Sequence, residues 1–316
     1  MRTFLVTGGA GFIGSHIAEA LVRRGDRVRI IDNLSTGHRQ NFAPFADRVE
    51  FIEGDLLDSA AVARAVEGVE VVFHQAALAS VPRSVERPLD THAHCVTATV
   101  NLLHAARQAG VRRLVYAASS SAYGDQPFSS KRECDLPAPL SPYAAAKLAA
   151  EYYCAAFWHT YKFETVAIRY FNVFGPRQDP NSPYSAVIPR FTAAMLAGRR
   201  PVIYGDGRQS RDFTFVANVV DANLKAADAP NVAGRVFNAA NGKNTDLLTL
   251  VEMLNRLLGT KIEPEFAPPR VGDVKESLAD ITQARRCLGY EPQVSFEEGL
   301  RRTVDYYKTL AAGGKL

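Results

Sequence analysis

Residues 3–14 read TFLVTGGAGFIG, a short apolar and β-branched run that passes directly into a turn with four glycines. The first five residues are typical of a buried strand. Apolar residues then recur at helical spacing, at Ile13, Ile17 and Leu21, and Gly25 supplies the stop. The stretch therefore predicts a strand, a glycine turn and a helix, and it decides the fold of the first half of the chain.

The glycine turn has the spacing of a dinucleotide-binding turn. Gly9, Gly11 and Gly14 match GxGxxG, and a second strand over residues 27–31 ends at Asp32. Glycines allow the tight turn and the close approach of backbone to a pyrophosphate, while the helix N-terminus offers N–H groups to the phosphates. A carboxylate at Asp32 accepts hydrogen bonds from ribose hydroxyls and repels a 2′-phosphate. We therefore expect NAD, rather than NADP, as the cofactor.

Further strands follow at the spacing of βαβ units. They are predicted over residues 49–52, 69–74 and 113–118, and the second is a nearly continuous apolar run of the parallel-sheet type. Asp55 follows the first of them and is open to two interpretations. It is either a contact for an adenine amino group or the N-cap of a helix that begins near Ser59.

Prolines at four positions between residues 176 and 189 interrupt the pattern and mark the entry into a smaller lobe. Residues 202–207 have the character of a β-hairpin. We predict an α/β fold, with a Rossmann-type doubly wound parallel sheet and a smaller α/β substrate-binding C-terminal lobe. The NAD-binding domain is expected over residues 1–171, with segments near 213–240 returning to it, and the second lobe over residues 172–316.

Composition excludes several other classes of protein. The net charge is +4 without any run of five basic residues, so we expect no nucleic acid partner. No apolar run approaches 18 residues and the chain begins with a predicted strand, so we expect neither membrane helix nor signal peptide. The four cysteines (Cys95, Cys134, Cys154 and Cys287) lack CxxC spacing, which predicts reduced thiols, no metal site and a cytoplasmic location.

Tyr143 and Lys147 are four residues apart, so on a helix they lie on one face. A nearby ammonium lowers the pKa of a tyrosine from its reference of about 10, which provides a proton acceptor near neutral pH. The serines Ser119, Ser120 and Ser121 follow the strand over residues 113–118, at the edge of the sheet where ligands bind. Taken alone, the Tyr-x-x-x-Lys pair also fits an ordinary helix surface.

Together these motifs resemble those of the extended short-chain dehydrogenase/reductases that act on nucleotide sugars. They are TGGAGFIG at residues 7–14, Asp32-Asn33, Gly54-Asp55, SSSAYG at 119–124, SPYAAAK at 141–147 and RYFNVFGPRQ at 169–178. The resemblance covers essentially the whole chain and is nearest to the UDP-hexose 4-epimerases, especially those that use UDP-N-acetylglucosamine. One position departs from it, since Cys95 stands where relatives usually carry asparagine.

The resemblance implies an isomerase whose catalytic residues are Ser119, Tyr143 and Lys147. In this family the tyrosine phenolate takes the proton of the sugar 4-hydroxyl while the C4 hydride passes to NAD. The 4-keto sugar then turns over and receives the hydride on its other face. Lys147 is implied to lower the pKa of Tyr143 and to hold the nicotinamide ribose, and Ser119 to hydrogen-bond the reacting oxygen.

The resemblance also implies the binding residues. Those expected at the cofactor are Gly8, Gly11, Phe12, Ile13, Gly14, Asp32, Asn33, Ser35, Thr36, Gly37, Asp55, Leu56, Gln75, Ala76, Ala77, Ala79, Tyr143, Lys147 and Tyr170. Those expected at the UDP-sugar are Ser80, Ser119, Ser120, Ser121, Tyr143, Asn172, Gln178, Ala186, Val187, Tyr204, Arg211, Arg270, Asp273 and Ser277. Arg211 and Arg270 are expected to hold the diphosphate, because the planar guanidinium binds phosphate oxygens in pairs, and Asp273 to hold the uridine ribose.

Three positions narrow the reaction and its substrate. Related dehydratases and decarboxylases carry acidic residues directly after the catalytic hydroxyl, whereas here Ser120 and Ser121 are poor acids and bases. At the position of Ser277 a bulky tyrosine excludes a 2-N-acetyl group and a small residue admits it. We therefore predict interconversion of UDP-N-acetylglucosamine and UDP-N-acetylgalactosamine, with UDP-glucose and UDP-galactose as further substrates.

Other functions stay open on the sequence. They are a UDP-glucuronate 4-epimerase, a nucleotide-sugar dehydratase or reductase, and a non-catalytic NAD-binding protein. The helices predicted near residues 89–109 and 143–160 resemble those that pair as a four-helix bundle in family dimers, so we expect a homodimer.

Overall fold

The computed structural model describes residues 1–126, 130–180, 186–269 and 276–314, and its strands alternate with helices from the N-terminus onward. In chain order the strands are β1 (Thr3–Thr7), β2 (Arg27–Asp32), β3 (Val49–Glu53), β4 (Val71–His74), β5 (Arg113–Ser119), β6 (Glu164–Tyr170), β7 (Val173–Phe174), β8 (Val202–Tyr204), β9 (Ser210–Asp212), β10 (Thr214–Phe215), β11 (Arg235–Ala239), β12 (Asn244–Asp246), β13 (Glu265–Ala267) and β14 (Glu276–Ser277). The helices are α1 (Phe12–Arg23), α2 (Ser59–Val66), α3 (Val81–Glu86), α4 (Pro88–His92), α5 (Ala98–Gln108), α6 (Pro142–Tyr161), α7 (Val187–Leu196), α8 (Val216–Asp228), α9 (Leu247–Leu258), α10 (Thr282–Leu288) and α11 (Phe296–Ala312). A π-helical segment, Ala93–Thr97, joins α4 to α5.

A parallel sheet of seven strands, counted over the described residues, forms the centre of the fold. Its strand order is β11-β6-β5-β4-β1-β2-β3, and each neighbouring pair is parallel. The chain winds outward from β1 in one direction and from β4 in the other. The predicted Rossmann-type doubly wound fold is therefore confirmed, and the switch between β1 and β4 is where such sheets bind ligands.

Alternate residues of the strands feed two apolar layers, because successive side chains point to opposite faces of a sheet. Phe4 and Val6 of β1 pack in the layer formed with α1 and α8, whereas Leu5 packs in the layer formed with α2, α5 and α6. The sheet is thus covered on both faces, which explains why its strands read as nearly continuous apolar runs.

A third apolar cluster lies outside these layers and belongs to the later part of the chain. It contains residues of α7, α9 and α11, including Ile188, Leu250 and Leu300. The predicted hairpin at residues 202–207 is wrong, since β8 instead pairs in parallel with β13, more than sixty residues further on. After β8, Gly207 allows the chain to pass close to α9, because a Cβ at this position would lie 2.9 Å from the Leu248 side chain.

After contributing α7 to the third apolar cluster, the chain returns to the main sheet. The helix α8 packs against α1, and β11 extends the main sheet by pairing with β6. The strand β10 pairs with β7, so a short second ladder connects the two parts of the chain.

Candidate active site

The glycine turn between β1 and α1 brings backbone atoms closer together than side chains would allow. Gly8 has a positive φ of 66°, and a Cβ there would lie 2.7 Å from the Ala76 nitrogen. A Cβ at Gly14 would lie 2.2 Å from the Gly8 carbonyl oxygen. The N-cap of α1 is Gly11, which makes no side-chain capping bond. The first N–H groups of α1 are therefore presented to the cleft, as phosphate binding requires.

Asp32 ends β2 with its carboxylate anchored beside this turn. The Ala10 N–H donates to Oδ2 at 3.0 Å and the Leu34 N–H donates to Oδ1 at 2.8 Å. Burial raises the pKa of this carboxyl above its usual value, and the two backbone donors work in the opposite direction. Gly37 packs closely against it, because a Cβ at that position would lie 2.9 Å from Oδ2. Each carboxylate oxygen retains a lone pair for a ribose hydroxyl.

Asp55 faces the same cleft at the end of β3. Its Oδ2 accepts a hydrogen bond from the Asn33 amide at 2.8 Å, and its Oδ1 accepts from the Leu57 N–H at 2.8 Å. The alternative interpretation of Asp55 as a helix cap is wrong, because Asp58 is the N-cap of α2 and accepts from the Ala60 N–H.

One cleft of about 690 Å³ lies at the carboxyl edge of the main sheet. All but one of the predicted cofactor residues line it, and Gly37, the exception, lies behind Asp32. The predicted substrate residues Ser80, Gln178 and Ala186 line it too. The dimensions and the uncapped helix fit an extended dinucleotide such as NAD.

The cleft also contains residues that sequence reasoning missed. They include His94, whose Nε2 lies 3.7 Å from Asp55 Oδ2, and Arg83, Arg177 and Asp179. Arg177 stands inside the quoted RYFNVFGPRQ motif and Asp179 directly follows it, so the motif was a signal for both. No periodicity or spacing pointed to His94, which reaches the cleft from the segment between α4 and α5.

The helix α6 carries Tyr143 and Lys147 into this cleft. The Ser141 hydroxyl caps its N-terminus by accepting from the Ala144 N–H at 3.2 Å, and Pro142 occupies the first helical position. Tyr143 therefore stands in the first turn, and Lys147 follows one turn later on the same face. Both line the cleft, with Lys147 only 4 % exposed.

The surroundings of the Tyr143 phenol act on its pKa in two opposite directions. Burial raises the pKa of the Tyr143 phenol well above its usual value, and a hydrogen bond with Ser119 opposes this only in part. The Lys147 ammonium is engaged elsewhere: it donates to the Ala117 carbonyl oxygen at 2.7 Å and lies 4.9 Å from the centre of the Tyr116 ring. The role of Lys147 in lowering the pKa of Tyr143, which the resemblance implies, therefore stays a prediction.

The serine run forms a turn at the end of β5. Ser119 is the N-cap of a 3-10 segment and accepts from the Ser121 N–H at 3.2 Å, while the Ser121 hydroxyl donates to the Ser119 Oγ at 2.8 Å. The hydrogen bond between Ser119 and Tyr143 joins this turn to α6. Ser120 begins that segment and lines neither of the two clefts described for this part of the chain, so its role stays a prediction.

A second cleft of about 270 Å³ opens from the later part of the chain. The predicted substrate residues Asn172, Ala186, Val187, Tyr204 and Arg211 line it. It adjoins the larger cleft, because Ala186 lines both. The Asn172 amide donates to the Ser277 hydroxyl at 3.5 Å, which brings Ser277 to its border.

Two predicted residues, Arg270 and Asp273, lie outside the described residues, so their roles remain predictions. Across the ranges that the structure describes, no group of histidine, cysteine and acidic residues has the geometry of a metal site. Within the same ranges, no helix combines the length and apolar character needed to cross a bilayer.

Comparison with known proteins is consistent with this geometry. Residues 4–240 match the model of the NAD dependent epimerase/dehydratase family. The chain is 42% identical over 313 residues to a UDP-glucose 4-epimerase of Mycolicibacterium smegmatis, covering 98% of this chain and 99% of the relative. It is 34% identical to a UDP-glucuronate 4-epimerase of Thermodesulfobacterium geofontis, covering 98% and 97%.

A solved structure also matches this chain over nearly its whole length. The UDP-N-acetylglucosamine 4-epimerase from Methanobrevibacter ruminantium, in complex with UDP-N-acetylmuramic acid, superposes with a TM-score of 0.93 at 42% identity and covers 98% of each chain. The matched family model spans three quarters of the sequence and the relatives span nearly all of it. The chain therefore belongs to the NAD dependent epimerase/dehydratase family, as an NAD-using enzyme whose full-length relatives include UDP-sugar 4-epimerases.

Proposed function

We propose that this protein is a UDP-sugar 4-epimerase that interconverts UDP-N-acetylglucosamine and UDP-N-acetylgalactosamine, and that also accepts UDP-glucose and UDP-galactose. The observation that carries the proposal is the meeting of two clefts. The larger one holds the glycine turn, Asp32, Tyr143 and Lys147, and the smaller one holds Asn172 and Arg211. A sugar joined to UDP in the smaller cleft extends towards the Tyr143 hydroxyl in the larger one.

The chain's own residues perform proton transfer and orientation. Bound NAD supplies a hydride acceptor for C4 and the positive charge of its nicotinamide ring. Tyr143 takes the proton of the 4-hydroxyl and returns it. Ser119 is hydrogen-bonded to Tyr143, which places its hydroxyl where it would hydrogen-bond the same sugar oxygen. Because burial raises the pKa of Tyr143, added positive charge in the cleft would favour the phenolate. Lys147, one helical turn from Tyr143, and bound NAD would supply that charge.

The residues near the catalytic hydroxyl support oxidation at C4 followed by return of the hydride, rather than elimination of water. Dehydration requires a further acid and base beside the catalytic hydroxyl. Here Ser121 follows in the same turn, and its hydroxyl is bonded to Ser119. A nucleotide-sugar dehydratase or reductase is therefore the weaker alternative.

The residues around the sugar support acceptance of an N-acetyl group. Ala79, Ser80 and Ala186 line the larger cleft, and Ser277 lies at the border of the smaller one. All four have small side chains, which leaves room for a substituent on C2. The structural relative that acts on UDP-N-acetylglucosamine supports the same preference.

A UDP-glucuronate 4-epimerase is the second candidate. Arg83 favours it, because this cation lines the cleft beside Ser80 and is able to pair with a 6-carboxylate. Asp179 lines the same cleft and disfavours it, because two carboxylates repel each other. The balance favours an uncharged C6.

Incubation with a panel of UDP-sugars tests the proposal. We expect the purified protein to convert UDP-N-acetylglucosamine to UDP-N-acetylgalactosamine, and UDP-glucose to UDP-galactose, with less than a tenth of that efficiency on UDP-glucuronate. Products are resolved by chromatography, and absorbance at the NADH maximum should rise only transiently. Accumulation of free NADH, or faster turnover of UDP-glucuronate than of either acetylated sugar, contradicts the proposal.

We also propose that the protein is a homodimer and that it works in the cytoplasm. An apolar surface on α3, α4 and α6 supports the dimer: Val85 is 66% exposed, Leu89 84% and Tyr152 56%. These helices pack against one another, so the three exposed side chains stand on neighbouring elements. A second copy is the proposed occupant, because the same patch on two molecules buries itself about a two-fold axis.

Leu89→Glu tests the dimer. We expect this variant to sediment as a monomer at a concentration where the wild type is a dimer, because it introduces a charge at the centre of a buried apolar interface. Leu136→Glu is the matched control, since Leu136 is 82% exposed and lies on another segment. The measurement is analytical ultracentrifugation. A wild type that is monomeric, or a Leu89→Glu dimer of unchanged stability, contradicts the proposed interface.

We also propose that the chain is divided into two domains. Residues 1–171 with the returning segments near 213–240 form the NAD-binding domain, and residues 172–316 form the nucleotide-sugar lobe. The apolar clusters support most of this division, because the residues around α7, α9 and α11 form a cluster of their own. The helix α10 is the exception, since Ala284 and Leu288 pack in the cluster of the main sheet.

A further inference from the structure

Asp212 ends β9 and its side chain is completely buried. Its carboxylate accepts three backbone hydrogen bonds: from Asn241 to Oδ1 at 2.8 Å, from Gly242 to Oδ2 at 2.9 Å, and from Ala279 to Oδ2 at 3.3 Å. Such donors compensate a carboxylate for the loss of water. Asp212 thus ties two segments, distant from it in sequence, to the end of one short strand.

Three predicted substrate contacts are linked to Asp212 through the backbone. Arg211 precedes it in β9 and lines the smaller cleft. The Asn172 amide donates to the Asp212 carbonyl oxygen at 3.3 Å. Ser277 pairs with Arg211 where β14 meets β9, and it stands two residues before Ala279. The residues for the diphosphate and those for the sugar therefore converge on one buried group.

We propose that Asp212 is a positioning residue that sets the distance between the diphosphate contact at Arg211 and the sugar pocket at Ser277. Asp212 holds the Ser277 segment through the Ala279 N–H, and it holds Arg211 because both residues belong to β9. Asp212 itself touches no substrate. The inference rests on the proposed function, because it takes the smaller cleft as the UDP site. Asp212 would thus influence substrate choice although it is buried and does not line the smaller cleft.

The segment that bears Ser277 has a second attachment, so loss of the Asp212 contact shifts it rather than releasing it. The Lys131 N–H donates to the Leu278 carbonyl oxygen at 2.8 Å, and the Asp280 N–H donates to the Lys131 carbonyl oxygen at 2.9 Å. This bridge holds the far side of the segment when Asp212 changes. The effect of a substitution at Asp212 is therefore expected at the sugar, and not in the fold as a whole.

Asp212→Asn is the informative substitution, because it keeps the shape and removes one acceptor. The carboxylate offers both oxygens to N–H groups, whereas the amide offers one oxygen and turns its NH₂ group against an N–H. At least one of the Asn241, Gly242 and Ala279 contacts is then lost. Burial raises the pKa of Asp212 to about 6, so measurements at pH 8 compare an ionised carboxylate with the amide.

The experiment measures UDP binding by calorimetry and kcat/KM for the acetylated and the plain UDP-sugar. For Asp212→Asn we expect UDP to bind at least 10-fold more weakly, and the ratio of the two kcat/KM values to change at least 3-fold. The amount of NAD that copurifies should stay unchanged. Asp206→Asn is the matched control, because Asp206 lies in an exposed turn of the same lobe and accepts only a local N–H.

The outcomes separate the inference from the function on which it rests. A wild type that does not bind UDP overturns the proposed function. A wild type that binds UDP, with Asp212→Asn equal to it in affinity and ratio, overturns the positioning role alone. Equal losses of NAD content and UDP affinity also overturn it, in favour of a general structural role. If Asp212→Asn does not fold, Ala279→Pro removes the N–H from the other side and should move the same ratio.

Discussion

Tyr143→Phe is expected to lower kcat for 4-epimerisation by about 10³-fold or more, because general acid–base groups of this kind contribute about 10²–10⁴-fold and Tyr143 is the cleft phenol that hydrogen-bonds Ser119. The substitution removes one oxygen and keeps the ring that packs in the first turn of α6. Copurified NAD and the affinity for UDP should therefore be unchanged. The measurement combines a product assay with cofactor content and calorimetry.

Tyr161→Phe is the matched control on the same helix. Its ring is half exposed, and it packs against Phe157 and below the Arg107 guanidinium through contacts that phenylalanine retains. We expect wild-type kcat for this variant. If Tyr143→Phe retains more than a tenth of wild-type kcat, then Tyr143 is not the group that carries the proton.

Ser277→Tyr is expected to reduce activity on UDP-N-acetylglucosamine at least about 100-fold, which corresponds to about 2.7 kcal/mol. The phenol ring fills the space beside Asn172 that the acetyl group requires. Activity on UDP-glucose should stay within about 3-fold, since a plain hydroxyl at C2 does not need that space. The assay compares kcat/KM for both substrates with the same enzyme preparation.

Ser277→Ala separates size from hydrogen bonding. It removes the hydroxyl that accepts from the Asn172 amide at 3.5 Å and leaves the pocket open. We expect it to retain the acetylated substrate with a modest loss. Equal loss of both sugars in Ser277→Tyr means that the residue supports the lobe and does not select the substituent.

Several parts of the site could be predicted from short stretches of sequence, because the backbone geometry there accepts few residue types. Only glycine tolerates the contact at Gly14, where a Cβ would meet a carbonyl oxygen at 2.2 Å. Tyr143 and Lys147 share a face because they are four residues apart on α6. An acid at the end of the second strand lies next to the turn because β1 and β2 are neighbours.

Other parts depended on segments that are distant in sequence. The expected hairpin failed because β8 finds its partner in β13, and turn residues such as Gly205 and Gly207 do not specify what a strand pairs with. The capping role of Asp55 went to Asp58, since two carboxylates three residues apart satisfy the same pattern. The charge of Lys147 is directed at a carbonyl of β5, which no spacing within α6 predicts.

The sequence by itself determined the doubly wound fold and the NAD turn, because each rests on short-range spacing and on residue types that few conformations accept. The catalytic roles of Ser119, Tyr143 and Lys147 came from the family resemblance and stay predictions. Only the tertiary structure decided how the two clefts meet at Ala186, how burial raises the pKa of Tyr143, and how Asp212 joins β9 to the segment of Ser277. The Asp212 contacts join residues 29 and 67 positions apart, and the raised pKa of Tyr143 follows from the loss of water on burial. Neither of these is encoded in a local pattern.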